Sequence, residues 1–210
     1  MDPKFVIDSE EALRRLYPPT HDLALKKFQQ ELGPHAQAFI RRSPFLCLGT
    51  QDLNGRADVS PRGDPPGFVR ILDSSTLAIP DRPGNNRLDS LSNILANPAV
   101  GLLFMVPGFD DTLRVNGWAN IVNDPALLEG MQVNNRLPTL AIIVEVREVF
   151  LHCAKALKRA RIWDPEHRQD RSQMPSLIKM ILDETTGAPS EEEMRKIDAV
   201  LEEEYKQTMY

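Results

Sequence analysis

Asn85, Asn86 and Arg87 lie in the stretch IPDRPGNNRLDSLSNIL, Ile79 to Leu95, where a short apolar run meets a Pro/Gly loop and then a helix start. Leu88, Leu91, Ile94 and Leu95 recur at helical spacing, which predicts a helix beginning near Asn86 and capped by that residue's side-chain oxygen. Arg87 would then sit in the first turn, where a cation opposes the helix dipole unless an anion lies between it and the free backbone N–H groups. A phosphate satisfies both. A solvated Arg on an ordinary surface helix is the competing reading. Further basic and amide groups are Arg62 in PRGDPPG, Arg114 with Asn116 in TLRVNGWANIV, and Lys155, Arg159 and Arg161 ahead of Trp163. Each alone reads as solvated surface charge. Together they suit a ligand with a phosphate at one end and a flat aromatic system at the other, since Arg grips phosphate bidentately and Trp stacks.

Other chemistry is excluded by pattern. The chain lacks GxGxxG, the Walker glycine-lysine pattern, HExxH, paired CxxC and GxSxG, so the common nucleotide, zinc and hydrolase signatures are missing. His21, His35, His152 and His167 are scattered without metal-ligand spacing, and no bound metal is expected. His152 precedes Cys153, but adjacent strand residues point to opposite faces, so a junction is the better reading than a catalytic pair. Cys47 and Cys153 are far apart and read as core thiols. No catalytic side chain is assigned.

The elements that must position these groups follow from periodicity. Residues 9 to 42 carry Leu13, Leu16, Leu23, Leu25, Phe28, Leu32, Ala36, Phe39 and Ile40 in a helical pattern broken at Gly33-Pro34. From Pro44, PFLCLGTQDLNGRADVSP reads as a hairpin turning at Asn54-Gly55. Pro61 to Gly67 is too rich in Pro and Gly for regular structure and is expected to loop. FVRILD and STLAIPD form a second pair, AVGLLFMVPG an apolar strand, Thr112 to Val122 another, and Leu140 to His152 the last, with Val144, Val146 and Phe150 facing inward. Later segments return to helical spacing; Ser190 with Glu193 makes a capping box, and Met194, Ile197, Leu201 and Tyr205 a stripe. Six or seven strands at hairpin spacing favour an antiparallel sheet closed as a barrel, flanked by helices.

Bulk properties set limits. At 210 residues and 41% apolar content the chain suits one domain: N-terminal helices over 1–42, a barrel core over 43–152 and C-terminal helices over 153–210. A net charge of −5 and a pI near 5.4 argue against nucleic-acid binding. MDPKFVIDSEEAL has no apolar run of signal-peptide length, and no segment approaches the roughly 20 apolar residues of a membrane span. A soluble cytoplasmic protein without membrane contact is expected.

The ordered set ADVSPRGDPPGFV, LAIPDRPGNNRLDSLSNIL, NPAVGLLFMVPG, TLRVNGWA and HCAKALKRARIW resembles the pyridoxamine 5′-phosphate oxidase-related flavin-binding proteins, in the branch of predicted flavin-nucleotide-binding proteins. The resemblance covers roughly residues 35 to 165. It implies a mainly β fold with flanking helices (α+β), a split β-barrel, and a homodimer with FMN in each of two interface clefts. Asn85, Asn86 and Arg87 would fall at the flavin phosphate, and Ile79, Pro80 and Asp81 along the cofactor. Ser60, Pro61, Arg62 and Gly63 would meet the polar edge of the ring, Thr112 and Arg114 would reach it from the second subunit, and Lys155 and Trp163 are weaker transfers. Arg62 or Arg114 would place a positive charge beside the ring. The implied function is an FMN-dependent oxidoreductase of unknown small-molecule substrate; a flavin or haem carrier or sensor, and a reductase using the deazaflavin F420, are the alternatives. The family's oxidases carry an apolar run ending in Lys where this chain has SPRGDPPG, and a compact basic C-terminal segment where this chain ends EEEYKQTMY. The specificity of the family's oxidases for pyridoxamine 5′-phosphate is therefore not implied.

Overall fold

Alternating apolar residues build the sheet. In a computed structural model, which describes residues 1–209, seven strands pair: β1 (Phe45–Gln51), β2 (Ala57–Gly63), β3 (Arg70–Asp73), β4 (Thr76–Pro80), β5 (Ala99–Met105), β6 (Thr112–Val122) and β7 (Ala141–His152). They form one sheet in the order β2-β1-β5-β6-β7-β4-β3, and every ladder is antiparallel. Leu46 and Leu48 on β1, Leu102 and Phe104 on β5, Leu113 and Val115 on β6, and Ile142 and Val144 on β7 are buried on one face, as a period of two requires.

Four strands separate β2 from β4, yet Arg62 Nη1 on β2 lies 2.7 Å from Asp81 Oδ1, one residue beyond β4. A flat sheet at about 4.8 Å per strand step would hold them about 24 Å apart. The sheet is rolled. The hairpin of β1 and β2 turns on Gly55, whose φ of +82° is a left-handed conformation that glycine adopts without strain.

The helices are α1 (Glu10–Arg14), α2 (Asp22–Lys26), α3 (Pro34–Arg42), α4 (Asp89–Ala96), α5 (Pro125–Glu129), α6 (Lys155–Ala160), α7 (Leu177–Glu184) and α8 (Glu191–Thr208). Phe39 and Ile40 of α3, and Leu91 and Ile94 of α4, join the core, each such side chain contributing about 1.5–3 kcal/mol on burial. The capping box of Ser190 and Glu193 is formed at α8. Among the described residues no helix is long and apolar enough to cross a membrane.

The structure departs from expectation at several places. Residues 9 to 42 are helical only in α1, α2 and α3: Pro18 and Pro19 break the pattern, and Leu13, Leu16, Leu23, Leu25 and Phe28 stay exposed. The expected loop at Pro61 to Gly67 begins only at Asp64, because Pro61 to Gly63 continue β2 opposite Cys47, Leu46 and Phe45; an edge strand tolerates proline's missing N–H. On β7 the register against β6 shifts at Asn116/Gly117. This bulge inserts Arg147 and turns Val149 inward in place of Phe150. Of the stripe on α8, Met194 alone is buried. Cys153 is exposed and Cys47 only half-buried, so neither is a core thiol.

Candidate functional site

The corner before α4 is built by Asn85. Its side-chain oxygen accepts from the Arg87 N–H at 3.1 Å, a local turn that competes with helix capping. Asn86 (φ 57°) and Leu88 (φ 60°) are left-handed, so the helix starts only at Asp89, with no side-chain cap. The expected start at Asn86 is thereby corrected, and Arg87 lies outside the helix. Its Nε donates to Asp89 Oδ2 at 2.7 Å while its side chain is 72% exposed. Asp89 raises the basicity of the guanidinium, first through this hydrogen bond and then by its charge, with a smaller contribution from Asp58. Leu88 is exposed; Leu91 and Ile94 carry the helix onto the sheet.

Beside this corner, α4 rests on the core-side face of β2. Ser90, buried at 4% exposure, donates to Asp58 Oδ2 at 2.7 Å and lies 2.9 Å from Ser60 Oγ. Arg62 Nε donates to Ser60 Oγ at 3.3 Å and its Nη1 to Asp81 at 2.7 Å. Asn93 Nδ2 donates to Thr50 Oγ1 at 3.0 Å, and Thr50 to Asp58 at 3.4 Å. One polar chain thus joins β1, β2, α4 and the end of β4. Behind it, Arg82 donates to Asp64 at 2.6 Å and to the Met131 carbonyl at 2.8 Å. Asp58, Ser90, Thr50 and Asn93 were not singled out in the sequence. Asp58 and Ser60 lie two apart on β2, which was the available signal.

A second group stands on the other face. Leu46 pairs with Arg62 and with Phe104, and Phe104 with Leu113; directly opposed side chains share a face, and the next residue on a strand points away. Arg114 and Thr112 therefore face opposite to Arg62 and Ser60. Arg114 pairs with Glu148, stands 5.0 Å over the Phe150 ring, and leaves its Nε buried without a partner. Thr112 is buried at 9% exposure, opposite His152. Burial holds the His152 imidazole below its ordinary pKa, helped by the charges of Arg114 and Lys27.

The remaining candidates lie apart. Lys155 opens the six-residue α6 and is exposed; Trp163 spends its indole N–H on the Phe109 carbonyl at 2.7 Å. Ile79 is wholly buried in the core, and Pro80 ends β4 opposite Ala141. Pro61 points away from Ser60 and Arg62, and Gly63 carries no side chain. Around the corner, Arg62, Arg82 and Arg87 face Asp58, Asp64, Asp81 and Asp89, so carboxylates outnumber arginines by one. The corner is not a basic pocket. Arg62 is neutralised by Asp81 and Arg114 by Glu148, which corrects the expectation that either adds net positive charge. Among the described residues no group of three or more His, Cys, Asp or Glu could hold a metal ion.

An antiparallel seven-stranded sheet flanked by helices, with this corner at its edge, is accompanied by a direct sequence match. The chain belongs to the pyridoxamine 5′-phosphate oxidase family, whose sequence model matches residues 32–153. No curated protein matches it. Solved structures similar to part of the chain include HupZ of Group A Streptococcus (19% identity over 57% of this chain and 92% of that one, TM-score 0.47). An FMN-binding protein from Syntrophomonas wolfei (8% identity, 68% and 96%, TM-score 0.44) and HutZ, the heme storage protein from Vibrio cholerae (15% identity, 58% and 93%, TM-score 0.39), are others. At these TM-scores the likenesses carry no functional argument.

Proposed function

We propose that this chain is an FMN-binding flavoprotein acting as a homodimeric oxidoreductase, each protomer a split barrel with the cofactor held between the two chains. The observation that carries the reading is the double reach of the α4 corner. Ser90 ties the helix to Ser60 and so to Arg62, while Arg87, just ahead of the helix, holds an exposed charge. One corner thus offers a grip for a phosphate and a polar edge for a ring.

The residues fit the cofactor with one condition. Because carboxylates outnumber arginines there, a phosphate must displace one of them, and the Arg87–Asp89 pair is the one able to yield: exposed ion pairs contribute little. Arg62 and Asp81 are each under a fifth exposed and stay joined. Arg87 with the backbone of Asn85 and Asn86 would hold the phosphate, and Ser60 and Arg62 the ring edge. Thr112 and Arg114 face the other way and would serve the partner's cofactor, with the orphaned Arg114 Nε as a spare donor. When bound, FMN supplies hydride or electron transfer; the protein supplies orientation and a partly dry setting.

The visible spectrum of the purified protein and the mass of its released chromophore test this. Yellow protein releasing FMN and sedimenting as a dimer is expected. Colourless protein with no affinity for added FMN overturns the reading, and tight flavin binding by a monomer overturns the interface. Stopped-flow reduction by NADH or NADPH separates an oxidoreductase from a carrier, which shows no fast reduction.

A further inference from the structure

The hydrogen bonds around Ser60 have a direction. Arg62 only donates, so its Nε–H goes to Ser60 Oγ at 3.3 Å. At the other end the Asp58 carboxylate accepts, and it takes the single Ser90 hydroxyl proton at 2.7 Å. The remaining contact, 2.9 Å between Ser90 Oγ and Ser60 Oγ, is then made with the Ser60 proton. The relay runs from Arg62 through Ser60 and Ser90 to Asp58, and it fixes both hydroxyls. Thr50 donating to Asp58, with Asn93 donating to Thr50 behind it, points to the same carboxylate.

Ser60 therefore has no proton for a ligand and one lone pair still to offer, since a hydroxyl oxygen accepts twice. Arg62 uses Nε on Ser60 and Nη1 on Asp81, while its Nη2 has no hydrogen-bond partner among the described residues. With the guanidinium side chain 18% exposed, an acceptor and a donor stand side by side at the edge of β2.

Resting on the flavin reading above, we infer that the group seated at Ser60 and Arg62 is an imide edge, an N–H flanked by carbonyls. The N–H donates to Ser60 Oγ and an adjoining carbonyl accepts from Arg62 Nη2. The isoalloxazine of FMN and the deazaflavin ring of F420 both present such an edge. Ionised haem propionates only accept, and Ser60 would meet them lone pair to lone pair. The relay is thus a specificity device, and Ser90 and Asp58 are positioning residues that keep the Ser60 proton turned inward.

The test compares FMN with FMN methylated at its imide nitrogen, by quenching of flavin fluorescence on the unaltered protein. Methylation is expected to weaken binding at least about tenfold, from a lost hydrogen bond and a steric clash at the half-buried Ser60 oxygen. Ser60→Ala should bind FMN more weakly and narrow the gap between the two forms. Equal binding of both forms by the unaltered protein overturns the inference and leaves FMN binding intact; so does a gap unchanged in Ser60→Ala. Failure of the protein to bind either FMN or F420 overturns the inference and the functional reading together. Should Ser60→Ala fail to fold, the comparison on the unaltered protein decides alone.

Discussion

The Arg62 guanidinium and the Asp81 carboxylate, 2.7 Å apart and each under a fifth exposed, join the edge strand β2 to the end of β4 across the rolled sheet. A sheltered pair of this kind punishes removal of one partner more than removal of both, because the survivor keeps an unmet charge away from water.

Asp81→Asn should therefore lower stability by about 1–3 kcal/mol. Replacing both residues, Arg62→Met with Asp81→Leu, should recover most of that loss. Urea unfolding of Asp81→Asn, of Arg62→Met and of the double variant checks it, and additive losses would contradict a coupled pair.

Two glycines give a contrast in backbone tolerance. A Cβ on Gly117 would overlap the Glu145 carbonyl oxygen and stand 3.0 Å from Val144 Cγ1. Both neighbours belong to the paired strand β7 and cannot swing aside. Gly117→Ala should cost about 2–3 kcal/mol, the upper part of the range for overpacked interiors. At Gly130 the obstacle is the far end of the Arg70 side chain, which can rotate away, so Gly130→Ala should change stability by less than about 0.5 kcal/mol. Comparable losses at the two positions would contradict this account.

His152 gives the fold a pH dependence. Its folded pKa lies below the ordinary 6.5, first from burial and then from the Arg114 and Lys27 charges. The unfolded chain therefore takes up a proton near 6.5 that the folded chain refuses until lower pH. This contribution to stability is full above the unfolded value and is lost as the pH falls below it. His152→Gln should show a smaller drop in urea midpoint between pH 7.5 and 5.5 than the unaltered protein. An unchanged drop would contradict it.

The two thiols should differ in reactivity. The Lys155 backbone N–H, followed by the charges of Lys155 and Lys27, lowers the pKa of the exposed Cys153 thiol from its ordinary 9.0. Thiolate is the reactive form. Iodoacetamide at neutral pH should label Cys153 before Cys47, as read by peptide mass; the reverse order would contradict the environment described.

Much of this architecture was legible in the chain. Thr112 to Val122 and the strand ending at His152 were readable from their length and β-branched content. The interruptions were harder. Nothing in VEVREVFLH marks Arg147 as the bulged residue, since the bulge arises from pairing with β6; Pro61 masked a strand that only an edge position permits. At the corner the residues were legible and their conformation was not. Asn86 reads as a cap, but the Asn85 turn claims the chain first, and the neutralising partners Asp81 and Asp89 become visible only when the sheet rolls and the loop bends. The relay through Ser90 joins residues 30 and 32 positions apart, a distance at which sequence spacing carries no information.

Equilibrium binding of FMN and of riboflavin, which lacks the phosphate, to the unaltered protein and to Arg87→Ala tests the central claim most directly. The account predicts that Arg87→Ala weakens FMN roughly ten- to a hundredfold, as loss of a charge-assisted hydrogen bond should, and leaves riboflavin binding unchanged. Equal affinity of the variant and the unaltered protein for FMN would contradict it.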